Sequence, residues 1–176
     1  IKYMVEAALD GWLTSGRFNT EFERSLEKFL GIKHVLTVNS GSSANLVAFN
    51  ALTSPLLGSR AINKGDEVIS VAAGFPTTVN PIIQFGAIPV FVDVDPQTFC
   101  IDATKIREAI TPKTKAIVPV HFTGYMTDMR NVIPIATKYK LPVVEDACQS
   151  ILGAINNKNA GTWGNTGAFS LHPLKN

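Results

Sequence analysis

With 176 residues, 45% of them hydrophobic, the chain can bury a sizeable core and has the length of one domain or most of one. Charged residues are only 17% and the formal net charge is +2, with Lys and Arg scattered singly, so no nucleic-acid surface is indicated. The two cysteines, Cys100 and Cys148, lack metal-type spacing and exclude a disulfide framework, which points to a reducing cytoplasm and leaves a single bridge open.

No apolar run approaches membrane-spanning length, so no membrane partner is expected. The start, Ile1-Lys2-Tyr3-Met4, has neither an initiator methionine nor a signal pattern. The chain stops one residue after Lys175. Both ends read as cut, which predicts the N-terminal piece of a longer protein.

Residues 3–14 are amphipathic and predict a helix, and residues 15–19 a loop. From about Thr20, Phe22, Leu26, Phe29 and Leu30 recur at helical spacing. Thr20 with Glu23 fits a capping box, and Gly31 closes the helix. Residues 34–38 read as a short strand. Asn39-Ser40-Gly41-Ser42-Ser43-Ala44-Asn45 then leads into a helical run over 46–52. Small residues between a strand and a helix suit a phosphate cup: glycine lets the backbone approach, helix amides face the anion, and hydroxyls add donors. An ordinary serine N-cap explains the same residues.

Residues 54–66 read as a loop and 67–72 as a strand. Gly74-Phe75-Pro76-Thr77-Thr78 opens a helix ending near Gly86. Phe75, directly after a strand, is placed to cover a flat ligand, although core packing is the commoner fate of a phenylalanine. Residues 88–94 read as a buried strand, with Asp93 and Asp95 as solvated loop acids rather than metal ligands. Asp102 is expected to cap a helix through Ile110. Residues 116–120 form a strand ending in His121, which is open between a site histidine and a hydrogen-bonded structural one. Thr127 opens a helix to Tyr139. Leu141-Pro142-Val143-Val144-Glu145-Asp146-Ala147-Cys148-Gln149 starts as a buried, β-branched strand and ends in two carboxylates. Residues 153–164 read as a loop, and 168–171 as a last strand that delivers Lys175.

Strand and helix alternate throughout, which predicts an α/β fold with a mostly parallel sheet and helices on both faces. Open sheets of this kind bind ligands beyond the carboxyl ends of their strands. An acid at one strand end and a lysine at another point to pyridoxal 5'-phosphate (PLP). The lysine would form a Schiff base and the acid would pair with the pyridinium nitrogen.

These motifs together resemble the DegT family of sugar aminotransferases, PLP enzymes of the aspartate-aminotransferase fold (fold type I). The resemblance covers nearly the whole chain. It runs through Ser15-Gly16-Arg17-Phe18, Phe22-Glu23, Gly31-Ile32-Lys33-His34-Val35, Asn39-Ser40-Gly41-Ser42-Ser43-Ala44, Pro89-Val90-Phe91-Val92-Asp93 and Val118-Pro119-Val120-His121. Its most specific pieces are Val144-Glu145-Asp146-Ala147-Cys148-Gln149 and Phe169-Ser170-Leu171-His172-Pro173-Leu174-Lys175-Asn176.

The resemblance implies a role for each matching position. Lys175 would hold the cofactor covalently and then shuttle the substrate proton. Asp146 would keep the pyridine nitrogen protonated. Gln149 would lie near the phenolic oxygen. Gly41, Ser42 and Ser43, helped by Ser170, would bind the phosphate, and Phe75 would stack on the ring. His121 matches a family histidine of unassigned role. The chain would then be the N-terminal part of the large PLP-binding domain, with the rest of that domain and a small C-terminal domain lying beyond it. The implied substrates are an amino-acid donor, glutamate, and a nucleotide-linked keto-deoxysugar, in lipopolysaccharide or secondary-metabolite sugar synthesis. The implied assembly is a cytoplasmic homodimer.

Some positions depart from the family pattern. Gly41-Ser42 stands where relatives have Gly-Thr, and Cys148 where Ala is common. The loop over 53–66 and the wording of 37–45 are most similar to a branch of nucleotide-sugar 3-dehydrases. Those enzymes remove a hydroxyl from a 4-keto-6-deoxy sugar and carry histidine at the lysine position. Lys175 favours amino transfer. A non-catalytic PLP-fold regulator is the third reading.

Overall fold

Strands β1 (Glu67–Val71), β2 (Ile88–Val92) and β3 (Thr114–Val118) pair in parallel, with β1 in the middle. In this computed structural model, which describes residues 1–175, β4 (Val144–Asp146) and β7 (Thr166–Ala168) form a second parallel pair. Parallel bridges at Ile117–Val143 and Val120–Asp146 join β4 to β3. The five strands therefore follow one another in the order β2-β1-β3-β4-β7, and their carboxyl ends share one edge.

Period-two alternation sends side chains to both faces of this sheet. Val68, Ala116, Val118 and Val144 pack with Ala48 and Phe49 of α3 (Gly41–Ala51) and Ile82 of α4 (Pro76–Phe85). Ile69, Val71, Ile117, Val120 and Val143 pack on the other face with Met129, Val132 and Ala136 of α5 (Met129–Tyr139). The three α5 residues recur at helical spacing, so one stripe of that helix is apolar. Fully burying a side chain such as Met129 or Val132 contributes about 1.5–3 kcal/mol. The expected parallel α/β sheet with helices on both faces is what forms.

The contacts divide the chain into two compact units, the first being Ile1–Val38. In it, α1 (Lys2–Leu9) stops short of the expected residue 14, because Asp10 and Gly11 turn the chain and Gly11 takes φ 62°. Helix α2 (Arg17–Leu30) starts three residues before Thr20, on an extended Gly16, and ends at Gly31 as expected. The capping box does not form. Glu23 instead accepts from the Thr37 amide and hydroxyl, both at 2.7 Å. Glu27 accepts from the Val35 amide. Residues 34–38 therefore run extended against carboxylates of α2 rather than as a sheet strand.

In the second unit, β2 is half exposed at Ile88 and Phe91 and pairs only with β1 among the described residues, so it is an edge strand and not the buried strand expected. Asp102 spends its Oδ1 on the Thr104 amide and hydroxyl, and only a short 3-10 turn, Ile106–Ala109, follows. Asp128, not Thr127, caps α5. Asp95 accepts from the Gln97 and Thr98 amides in a turn, and Asp93 lies 3.8 Å from Lys105. Within 153–164 a small hairpin pairs β5 (Ala154–Ile155) with β6 (Lys158–Asn159). Asn156 and Asn157 both take positive φ, as a two-residue primed turn needs. Cys100 and Cys148 are both free. No helix among the described residues is long and apolar enough to cross a membrane.

Candidate active site

Asp146 ends β4 and faces the side covered by α3 and α4, two residues on from Val144. It is 2% exposed. Its Oδ2 accepts from Asn45 Nδ2 at 2.8 Å and from the Thr78 hydroxyl at 2.5 Å. Its Oδ1 accepts from the Cys148 amide at 3.2 Å. Two side chains and one backbone amide donate to the carboxylate, and the Cys148 thiol also lies against it. Asn45 and Thr78 were not legible as site residues. Asn45 sat inside the small-residue run, and Thr78 inside a helix start. Their link to Asp146 spans 101 and 68 positions.

Helix α3 begins at Gly41, directly in front of β4 and β7. Ser40 caps it, its hydroxyl accepting from the Ser43 amide at 3.2 Å. The amides of Gly41 and Ser42 stand outside the helix ladder, where an anion can meet them. Gly41 is buried because other segments crowd it. A Cβ there would lie 2.8 Å from Ser170 Cβ and 2.9 Å from Cys148 Sγ. The glycine thus lets the helix start, Ser170 and the Asp146 turn converge. Ser42 is exposed and Ser43 half-buried, with its hydroxyl 3.2 Å from that of Ser40. The serine N-cap thus uses Ser40 and the Ser43 amide, and the Gly41 and Ser42 amides stay outside it.

Phe75 follows β1 as the N-cap residue of α4 and is 42% exposed. It is therefore a ring at a surface and not a core residue. The Lys175 amine lies 3.8 Å from its centroid. Ser170 is buried, and its hydroxyl oxygen accepts from the His172 amide at 3.4 Å. Gln149 turns its Oε1 to the Thr123 amide at 2.8 Å, which leaves its NH2 group to donate elsewhere. The Cys148 thiol is pushed well above the ordinary range, first by partial burial and then by the charge of Asp146. It stays protonated, lying against the Asp146 carboxylate and 3.8 Å from the Ala168 carbonyl.

Glu145 points to the opposite face and is fully buried. Its Oε1 accepts from the Trp163 and Gly164 amides, and its Oε2 from the Gly161 amide at 2.9 Å. His121 Nε2 lies 2.9 Å from the same Oε2. The Thr127 amide donates to His121 Nδ1, so the ring proton belongs on Nε2, aimed at Glu145. His121 is thus held as a structural group away from the Asp146 face. The sequence signalled Glu145 only as the second of two acids. Its partners lie 16 to 24 positions away and cannot be read locally.

The donor set fits PLP: two open helix amides with hydroxyls nearby for a phosphate, a ring, a buried acid and a primary amine. A parallel α/β sheet with these groups along one carboxyl edge defines the PLP-dependent enzymes of fold type I. The profile of the DegT/DnrJ/EryC1/StrS aminotransferase family matches residues 1–176, and the chain belongs to that family. The cofactor of this family is PLP.

The chain is 55% identical over 173 residues to the lipopolysaccharide biosynthesis protein RfbH of Salmonella typhimurium, covering 98% of this chain and 40% of that protein. It is 40% identical over 173 residues to the 3-oxo-glucose-6-phosphate:glutamate aminotransferase of Bacillus subtilis, covering 98% of this chain and 36% of that enzyme. Among solved structures, the GDP-4-keto-6-deoxy-D-mannose-3-dehydratase of E. coli, with hydrated PLP bound, matches with a TM-score of 0.82 at 34% identity. That match covers 91% of this chain and 41% of the dehydratase. The chain spans less than half the length of each.

Proposed function

We propose that this chain is the N-terminal part of the large PLP-binding domain of a sugar aminotransferase. The meeting of Lys175 with Phe75, on the sheet edge that also carries buried, donor-ringed Asp146, is the observation behind this proposal. Bound at this edge, PLP supplies an aldehyde that takes up amines and a ring that draws off electrons. Lys175 gives the amine that holds the cofactor, then carries a proton to and from the substrate carbon. Asp146 accepts the ring-nitrogen proton in a hydrogen bond and keeps it there. The Gly41 and Ser42 amides, with the hydroxyls of Ser42, Ser43 and Ser170, hold the phosphate. Phe75 covers one ring face. The Gln149 NH2 group donates to the phenolic oxygen.

In this proposal glutamate gives the amino group and a nucleotide-linked keto-deoxysugar receives it, in a cytoplasmic homodimer that serves cell-surface polysaccharide synthesis. The likeness to the Salmonella and Bacillus proteins supports the pathway type and the donor. A second reading, removal of a sugar 3-hydroxyl, draws on the dehydratase-like wording of residues 37–45 and the likeness to the E. coli enzyme. Lys175 stands against it, because the chemistry of a primary amine anchor favours amino transfer.

The test adds glutamate to the full-length protein loaded with PLP and follows its visible absorption. Bleaching, with one 2-oxoglutarate released per site, is expected. An unchanged band would overturn the glutamate half-reaction. A keto sugar that lost its hydroxyl and gained no nitrogen would establish the second reading instead.

A further inference from the structure

We infer that Thr78 is a positioning residue: with Asn45 it fills Oδ2 of Asp146, so that Oδ1 is the oxygen offered to the ring nitrogen of bound PLP. This rests on the proposed function above. A carboxylate oxygen has two acceptor directions. Oδ2 uses both, on Asn45 Nδ2 at 2.8 Å and the Thr78 hydroxyl at 2.5 Å. Oδ1 takes one backbone donor, the Cys148 amide at 3.2 Å, the longest of the three bonds, and the only other group against the carboxylate among the described residues is the weak donor of the Cys148 thiol. The direction left over accepts a donor, which is what a protonated ring nitrogen is.

The two clamps come from different helices. Asn45 lies in α3 and Thr78 in the first turn of α4, both almost completely buried. A helical threonine commonly turns its hydroxyl back to the preceding turn. Thr78 instead reaches across to β4. It lies three residues after Phe75, and residues at that spacing are neighbours along a helix face. The N-terminal end of α4 therefore supplies both the ring exposed beside Lys175, at its N-cap, and the hydroxyl that fixes Asp146, in its first turn. Asn45 is oriented by the same carboxylate. Its Oδ1 is buried with no hydrogen-bond partner among the described residues, and turning the amide over would set that oxygen against Oδ2. The Nδ2 contact is kept although the other end of the amide is left without a bond.

The test compares Thr78→Val, which keeps the shape and loses the hydroxyl, with Thr78→Ser, which keeps the hydroxyl. The full-length protein is titrated with PLP, and the circular dichroism of the bound chromophore reports how firmly the ring is held. Thr78→Val is expected to raise the PLP dissociation constant about tenfold, as loss of a hydrogen bond to a charged group does. It should also lower the dichroism per bound cofactor. Thr78→Ser is expected to retain both values. Wild-type values in Thr78→Val would overturn the inference. So would equal losses in Thr78→Val and Thr78→Ser, which would place the effect in the methyl group. Asn45→Ala removes the other donor to Oδ2 and is read by the same two quantities if Thr78→Val does not fold. PLP uptake by the unmodified protein tests the proposed function separately: without it that proposal fails, whereas uptake with no Val–Ser contrast fails this inference alone.

Discussion

The Lys175 amine lies 3.8 Å from the centre of the Phe75 ring, well within cation–π range. Phe75 follows β1 and Lys175 follows β7, so the contact joins the central strand of one parallel trio to the far strand of the sheet. Asp146, on β4, lies between them in strand order. A ring, an acid and an amine thereby share one sheet edge, and the chemistry proposed for the chain needs all three.

Asp146→Ala removes the carboxylate that faces Asn45, Thr78 and the Cys148 amide. Turnover is expected to fall by at least about a hundredfold, the usual scale for a group that manages a proton. Retention of PLP on dialysis should fall as well. Near-normal turnover would remove Asp146 from the site.

Gly41→Ala places a methyl 2.8 Å from Ser170 Cβ and 2.9 Å from Cys148 Sγ. Such overpacking costs about 1–3 kcal/mol. Urea unfolding should show that loss, and the PLP dissociation constant should rise because the helix start is pushed from Ser170. A variant with unchanged stability and affinity would mean that the close approach is not required.

Sequence alone revealed what depends on neighbouring residues. The strand-to-helix rhythm and the apolar strands β1, β3 and β4 follow from local pattern, and they set the carboxyl edge where Lys175, Asp146, Gly41 and Phe75 meet. Contacts across the fold left no such trace. Glu23 looks like half of a capping box until Thr37 folds back onto it. Thr78 looks like a helix-start threonine until β4 arrives beside it. Glu145 looks like a second site acid, yet pleat alternation turns it to the opposite face, towards His121. Strand β2 reads as buried from its composition, and only the strand order shows it at an edge.

Glu145→Gln swaps one acceptor oxygen for a donor among three backbone amides and His121. Setting a donor against buried donors leaves at least one of them unsatisfied, which is expected to cost about 1–3 kcal/mol. Chemical denaturation measures it. A loss below about 0.5 kcal/mol, the range of ordinary surface changes, would show that the network does not hold the 161–164 loop.

Cys148 provides the pH-dependent prediction. Its folded pKa lies above the ordinary thiol value of 9.0, so the neutral thiol contributes stability that is complete below that value and is lost as pH rises towards the folded pKa. At pH near 9, alkylation of Cys148 by iodoacetamide should be at least about tenfold slower in the folded protein than in urea, because the thiolate is the reactive form. Equal rates would contradict the shift.

Borohydride reduction of the PLP-loaded full-length protein, followed by peptide mapping, tests the Lys175 assignment most directly. The expected result is a pyridoxyl group on the peptide that contains Lys175, and none on the Lys175→Ala protein. Cofactor fixed to a different lysine, or still fixed in Lys175→Ala, would contradict it.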